Sequence, residues 1–122
     1  MKKLIFLFSL FIAFQAVAQE GIRFRHCSWE EAKAMAKKEK KPIFIDFYTQ
    51  WCGPCLNMAE NIFTLGSVGN FYNDHFVCLK IDAETGEGVE LAKKYEVASC
   101  PTFVFLSFSQ ELSIPLYRWF IS

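Results

Sequence analysis

The feature that most constrains this chain is the pentapeptide WCGPC at positions 51–55, which directly follows the apolar run Ile43–Tyr48. A short apolar run bounded by a turn predicts a buried strand. Pro54 suits the first turn of a helix, because the N–H that proline lacks has no partner there. The cysteines then lie at a helix N-terminus, where thiolate is favoured over thiol. The motif therefore predicts a redox-active pair that can close a small, reversible disulfide.

The rest of the chain predicts an alternation of helices and strands. Ser28 and Glu31 form a capping box that predicts a helix from Trp29 to about Lys40, and Pro42 stops that helix. The later elements are predicted from apolar patterns and glycines: a helix at 52–63, a break at 66–69, a short helical turn at 71–75, a strand at 76–81, a helix at 89–95 and a strand at 102–108. This order is typical of an α/β fold of one domain.

The N-terminus predicts a secretory signal peptide over residues 1–18. Lys2 and Lys3 precede an apolar stretch at 4–14, and the small residues at 16–18 suit a cleavage site. The apolar stretch is short for a membrane span, which favours cleavage before Gln19 over an uncleaved anchor. We therefore expect a periplasmic or secreted protein with no stable membrane insertion.

Charge and cysteine content narrow the possible partners. The whole chain has 13 basic and 13 acidic residues, so losing Lys2 and Lys3 with the signal peptide leaves a formal charge of −2. This balance gives no reason to expect nucleic acid or an anionic membrane as a partner. Five cysteines remain, and an odd number in an exported protein leaves at least one thiol outside any intramolecular disulfide.

Two segments resemble those of a known family. The stretch IDFYTQWCGPC at 45–55 resembles the active-site segment of thioredoxins, and SCPT at 99–102 resembles their loop with a cis proline. The resemblance covers about residues 21–106. This part of the chain is similar to the secreted bacterial branch of the fold and to the C-terminal periplasmic domain of the transmembrane disulfide reductase. It implies a thioredoxin fold, with a central mixed sheet flanked by helices.

The chemistry is assigned to three residues. Cys52 is the predicted nucleophile that attacks a substrate disulfide, and Cys55 then resolves the mixed disulfide. Asp46 lies in an apolar strand, so we expect its carboxyl group to be protonated or closely partnered. By the resemblance it matches the buried acid that relays a proton to or from the second cysteine; a carboxylate that caps local backbone is the alternative.

The pair also has structural alternatives. A static disulfide or half of a zinc site would use the same two cysteines. Zinc needs four ligands, and no second C-x-x-C motif or histidine pair accompanies this one. We therefore predict no metal and no cofactor.

Five residues are predicted to bind substrate: Trp51, Gly53, Pro54, Cys100 and Pro101. The indole of Trp51 covers the thiolate or simply packs, and the two readings weigh about evenly. The resemblance implies that Pro101 is cis and that the backbone before it pairs with an extended substrate segment. Cys100 departs from the family pattern, and an inert thiol is favoured there over a third redox thiol.

Two further cysteines and the chain end complete the picture. Cys78 is expected to be buried and unreactive, at a place where thioredoxins often carry a lysine near the buried acid, and Cys27 is expected to be exposed.

The hairpin at 107–110 lacks the usual Asp or Gly, and Pro115 limits a last strand at 111–117 to the sheet edge. We expect a domain over 19–122 without the C-terminal covering helix. The C-terminus of this sequence would then be natural, truncated or frame-shifted.

The predicted function is that of an exported thiol–disulfide oxidoreductase working in the reducing direction. Its substrates would be disulfide-bonded proteins, and a thiol donor, most simply one embedded in the membrane, would supply electrons. The Gly-Pro between the cysteines resembles thioredoxin rather than the strongly oxidising members of the fold. The alternatives are a disulfide oxidase or isomerase, a non-catalytic module that binds proteins or Cu(I), and an inactive fragment.

Overall fold

The structure is a computed structural model that describes residues 20–107 and 115–120. The predicted signal peptide and most of the predicted hairpin at 107–110 lie outside the described residues. The elements that the structure describes are, in chain order, α1 (Trp29–Glu39), β1 (Ile43–Tyr48), α2 (Gly53–Asn61), α3 (Gly66–His75), β2 (Val77–Asp82), α4 (Gly88–Lys94), β3 (Thr102–Leu106) and β4 (Pro115–Phe120).

The four strands form one mixed sheet in the order β2-β1-β3-β4. β1 pairs in parallel with β2 and antiparallel with β3, and β4 pairs antiparallel with β3. The first five residues of β1 are buried, which agrees with the continuous apolar run in the sequence. The prediction of a central strand within a mixed sheet flanked by helices is confirmed.

One face of the sheet packs against α1 and α4. Alternate residues of β1 point to this face, because successive side chains of a strand lie on opposite sides. The buried residues of this layer are Ala32, Ala36, Ile43, Ile45, Phe47, Val77, Leu79, Leu91, Ala92, Tyr95, Val104 and Leu106. Trp29 and Met35 pack beside them, so the predicted inner face of α1 is confirmed.

The opposite face forms an aromatic layer beneath α2 and α3. Phe44 lies at its centre, with ring centroids of five neighbours between 4.8 and 6.4 Å away. Met58 of α2 and Tyr72 of α3 pack against the same cluster. Asp46 is two residues after Phe44 and therefore shares this face of the sheet. The sheet thus places the predicted acid on the side that carries the cysteine helix.

The ends of α1 follow the sequence signals. Ser28 is the N-cap, and its Oγ accepts a hydrogen bond from the Glu31 N–H at 3.2 Å. The helix ends at Glu39, one residue before the predicted end, and Lys40 caps it in the left-handed region. Acidic residues in the first turn and lysines in the last complement the helix dipole.

The predicted break at 66–69 is wrong, because α3 begins at Gly66 and runs for ten residues. Gly69 is buried within it, and a Cβ there would lie 2.1 Å from the Glu20 carbonyl oxygen. The glycine therefore permits close approach of the N-terminal segment rather than ending a helix. The short helical turn predicted at 71–75 is the second half of this helix.

The predicted bounds of α2, β2, α4 and β3 agree with the structure to within two residues. The last strand spans Pro115–Phe120 instead of the predicted 111–117, and it lies at the sheet edge as Pro115 required. Between residues 20 and 107 and in β4, no helix is long and apolar enough to cross a membrane.

Candidate active site

The predicted cysteine pair forms a disulfide at the start of α2. Cys52 and Cys55 are bonded, with their Cα atoms 5.3 Å apart. Cys52 is the N-cap of the helix, and the Cys55 N–H donates to its Sγ at 3.1 Å. Pro54 occupies the first turn, as its fixed φ and missing N–H favour. The Cys55 N–H and the positive end of the helix dipole lie at Cys52 Sγ, so this is the sulfur whose thiolate the fold stabilises.

The loop before β3 brings a second backbone segment to the pair. The Cys100–Pro101 peptide bond is cis, as the resemblance implied. The Cys100 carbonyl oxygen lies 3.5 Å from Cys52 Sγ. Pro101 and Thr102 are buried, and the Thr102 hydroxyl donates to the Ser99 carbonyl oxygen. The loop is thereby held with the Cys100 backbone beside the attacking sulfur.

An open groove of about 490 Å³ runs past Cys52 between α2 and α4. The predicted site residues that line it are Trp51, Cys52, Gly53, Pro54 and Cys100. A Cβ on Gly53 would meet nothing within 4 Å, so this position leaves the helix end open to an incoming chain. Three of the predicted residues do not line it: Cys55 and Asp46 lie on the inner side of the turn, and Pro101 is buried behind Cys100.

Asp46 is fully enclosed, with 1% of its surface exposed. Neither carboxyl oxygen accepts a hydrogen bond from any residue that the structure describes, and the same holds for the nearby buried hydroxyl of Thr49. Burial raises the pKa of Asp46 from its ordinary 3.8 to about 6, and the charge of Lys80 opposes that rise. A backbone-capping role is therefore wrong, and the carboxyl group can gain or lose a proton near neutral pH.

Lys80 is a site residue that the sequence analysis missed. It pairs with Asp46 in the register of β1 and β2. Its Nζ lies 4.9 Å from the ring centroid of Tyr48 and 6.0 Å from that of Phe24. Strand periodicity was the available signal, because Lys80 is two residues after Cys78 and so shares its face of the sheet. The cation near the acid is thus displaced by two positions from the place where the family often carries one.

A second, smaller cavity opens on this inner side. It has a volume of about 310 Å³, and Tyr48, Trp51, Cys55, Leu56 and Lys80 line it. Cys55 itself is buried. The two cysteines thus differ in what they border: Cys52 lines both the open groove and this cavity, whereas Cys55 lines only this cavity.

Trp51 is on the surface, with 77% of its area exposed. Its indole N–H donates to Glu84 Oε1 at 2.8 Å. Ordinary packing, one of the two readings for this residue, therefore buries little of the ring. Glu84 was not identified from the sequence, because a contact across 33 positions leaves no local signal.

The other three cysteines show no sign of activation. Cys78 is buried, and burial raises its pKa to about 12. Cys100 is half-buried, and burial together with the charge of Asp46 raises its pKa. Cys27 is also half-buried and packs against the core, so the prediction that it is exposed is wrong. Among residues 20–107 and 115–120, no group of three or more His, Cys, Asp or Glu side chains could hold a metal ion.

Comparison with known proteins gives a consistent picture. A family model described as thioredoxin-like matches residues 24–107. Thioredoxin-1 of Drosophila yakuba is 41% identical over 81 residues, which cover 66% of this chain and 71% of that protein.

Two solved structures are also similar. A candidate disulphide-isomerase from Bacteroides thetaiotaomicron superposes with a TM-score of 0.71 at 44% identity, covering 84% of this chain and 82% of that one. A thioredoxin from Thermus thermophilus superposes with a TM-score of 0.70 at 28% identity, covering 82% and 75% of the two chains.

Proposed function

We propose that this chain, which belongs to the thioredoxin-like family, works outside the cytosol as a reductase of protein disulfides. Thiol–disulfide oxidoreductase activity follows from the family, the relatives and the Cys52–Cys55 pair together. The observation that carries the assignment is the position of Cys52 as the N-cap of α2. That position supplies the thiolate that disulfide exchange requires.

The reaction proceeds through a mixed disulfide. The Cys52 thiolate attacks one sulfur of the substrate disulfide, and the other substrate sulfur leaves as a thiolate. Cys55 then attacks Cys52 Sγ, which releases the second substrate thiolate and forms the Cys52–Cys55 disulfide. The substrate gains two electrons and the pair loses two, so the structure corresponds to the oxidised product state.

Asp46 accepts the proton that Cys55 must lose before it attacks. Three observations support this role: Asp46 lies on the face of the sheet that α2 covers, its pKa is about 6, and its oxygens accept no hydrogen bond within residues 20–107 and 115–120. The carboxylate is therefore a base of suitable strength close to neutral pH. Lys80 favours the charged form of Asp46 and so sets how readily it takes the proton.

The groove next to Cys52 binds the substrate. The Cys100 backbone beside Cys52 offers hydrogen bonds to an extended segment, which is a way of binding many sequences with little preference. The exposed surfaces of Trp51 and Pro54 provide apolar contact on the cysteine side. Disulfide-bonded proteins with a locally unfolded segment are the substrates that this arrangement suits.

Export and the electron donor complete the proposal. The predicted signal peptide directs the chain to an oxidising compartment, where a reductase must be recharged continually. A dithiol donor embedded in the membrane can carry those electrons from the cytosol. N-terminal sequencing of the protein recovered from the periplasm tests export, with Gln19 as the expected first residue; a protein that keeps Met1 in the cytosol would contradict it.

The reduction potential tests the direction of exchange. The purified protein is equilibrated in buffers of graded dithiol-to-disulfide ratio, and the free thiols of Cys52 and Cys55 are trapped with a maleimide. A midpoint near about −270 mV, the thioredoxin range, is the expected result. A midpoint near about −120 mV, the range of strong oxidases, would overturn the reductase assignment.

Isomerase activity is the second candidate, favoured by the likeness to the disulphide-isomerase candidate from Bacteroides thetaiotaomicron. The same two cysteines would serve. Cys52 would attack a non-native disulfide, and Cys55 would act only to release Cys52 from a mixed disulfide that does not rearrange. Refolding of a scrambled multi-disulfide protein separates the two. An isomerase restores activity with only a trace of reductant, whereas a reductase needs a stoichiometric thiol supply.

A further inference from the structure

Trp51 combines high exposure with a directed hydrogen bond. The indole is 77% exposed, yet its N–H points at Glu84 Oε1 over 2.8 Å. A surface indole that only covered apolar neighbours would need no such partner. The hydrogen bond selects one orientation of a large ring beside the reactive cysteine.

Glu84 lies in the loop after β2, and hydrogen bonds of that loop hold it in place. Its backbone N–H donates to Asp82 Oδ1 at 2.9 Å, and Asp82 Oδ2 accepts from Gln50 Nε2 at 3.2 Å. The Ala83 N–H also donates to the Tyr48 carbonyl oxygen at 2.9 Å. The loop after β2 is therefore tied to Tyr48, the last residue of β1, and to Gln50 and Trp51 in the turn before Cys52.

The tethered indole forms part of the groove beside Cys52. Trp51 and Glu84 line one side of the groove, and Val89, Lys93 and Val97 come from α4 and the segment that follows it. Because Trp51 is the largest exposed side chain in this lining, the orientation of its ring sets how wide the groove is. A chain lying along the groove towards Cys52 would contact the ring.

We propose that Glu84 is a positioning residue that fixes the Trp51 indole as a wall of the substrate groove. The inference rests on the proposed disulfide reduction and adds a determinant of which disulfides are reduced well. With the tether, the ring is ordered before the substrate arrives. Without it, the ring must be ordered on binding, and that lost rotamer freedom weakens the complex. The benefit falls on peptide disulfides, which fill the groove, more than on small disulfides, which reach only Cys52.

The test compares two substrates in the full chain, with dithiothreitol as the electron source. One substrate is a peptide dimer joined by a disulfide, with a leucine on each side of its cysteine, and the other is hydroxyethyl disulfide. The measured quantity is the ratio of kcat/KM for the peptide to kcat/KM for the small disulfide. In Glu84→Ala we expect this ratio to fall about three- to tenfold, because KM for the peptide rises.

Two variants separate the hydrogen bond from the charge. Glu84→Gln keeps a carbonyl oxygen for the indole N–H and should restore most of the ratio. Glu60→Ala removes a carboxylate of equal charge from the last turn of α2 and should leave the ratio at the wild-type value. In Trp51→Phe, which lacks the indole N–H, a further Glu84→Ala change should have no added effect.

A spectroscopic measurement reports the tether without activity. The indole N–H signal of Trp51, identified by its loss in Trp51→Phe, should exchange with solvent faster in Glu84→Ala than in the wild type or Glu84→Gln. An unchanged exchange rate, or an unchanged substrate ratio in an active Glu84→Ala protein, would overturn the inference alone. A wild-type protein that reduces neither disulfide would overturn the proposed function as well.

Discussion

The two sides of the cysteine turn differ in how they are built. On the outer side, Cys52 borders an open groove, and its neighbour Trp51 is exposed and held by one hydrogen bond to Glu84. On the inner side, Cys55 and Asp46 are buried, and the acid has no hydrogen-bonding partner among the described residues. The outer side is suited to recognition of many chains, and the inner side to proton transfer away from bulk water.

This difference has an energetic consequence. A hydrogen bond on the surface contributes modestly to stability, because water competes for both groups. An unpartnered buried carboxylate is costly, because its charged form loses hydration without a replacement. The inner side therefore retains a destabilising group, which is a common feature of functional sites.

The largest expected effect is the loss of turnover when Cys52 on the outer side is replaced. Cys52→Ser removes the nucleophile, and we expect disulfide turnover to fall by at least about a thousandfold. Cys55→Ser keeps the nucleophile and should instead accumulate a mixed disulfide with substrate, visible as a covalent adduct in mass spectrometry. An adduct that forms on Cys55 in Cys52→Ser would reverse the assigned roles.

The next effect is on stability and comes from the inner side. Asp46 has a folded pKa of about 6 against an ordinary value of 3.8, so between these values the folded state binds more protons than the unfolded state. The favourable contribution of the protonated form is complete below about pH 4 and is lost as pH rises through about 6. Asp46→Asn should therefore raise the free energy of unfolding at pH 8 by on the order of 3 kcal/mol, and by almost nothing at pH 4.

Urea unfolding of the oxidised protein at pH 4, 6 and 8 measures this effect. In the same variant, release of substrate from the mixed disulfide should be slower at neutral pH, because Cys55 loses its proton acceptor. A variant that is more stable but resolves the mixed disulfide at the wild-type rate would separate the burial cost of Asp46 from the proposed catalytic role.

A smaller effect is expected on the inner side when the charge of Lys80 is removed. Lys80→Met removes the charge that lowers the pKa of Asp46, so that pKa should rise further above its present value. The pH profile of mixed-disulfide resolution should then move to higher pH, with a rate about two- to threefold lower at pH 7. Lys38→Met, an exposed lysine on α1, is the matched control. An unmoved profile in Lys80→Met would show that Lys80 does not act on Asp46.

The smallest expected signal concerns Cys100 on the outer side. Burial and nearby carboxylates raise the pKa of its thiol, so it should not compete with Cys55 for the mixed disulfide. Peptide mapping of oxidised Cys55→Ala should find a Cys52–Cys100 disulfide in less than about a tenth of the molecules. A dominant Cys52–Cys100 species would identify Cys100 as a third redox thiol.

The predictions from sequence succeeded where local rules decide structure. The cap of α1 at Ser28, the central strand Ile43–Tyr48 and the start of α2 each depend on neighbouring residues. The break predicted at 66–69 is wrong, because Gly69 is needed for contact with Glu20, which is far away in the chain. Glycine in a sequence does not reveal whether it ends a helix or admits a distant backbone.

The site divides in the same way. The sequence by itself determined the cysteine pair, the helix terminus that activates Cys52 and the presence of an acid in an apolar strand, since all three follow from spacing and local propensity. Only the tertiary structure decided which cation faces Asp46 and what holds Trp51. Lys80 depends on the register of two strands, and Glu84 depends on the meeting of two loops. Such contacts are set by packing of the whole sheet. Strand periodicity assigns Lys80 to a face of the sheet but not to a place opposite Asp46, and no spacing along the chain records the contact of Trp51 with Glu84.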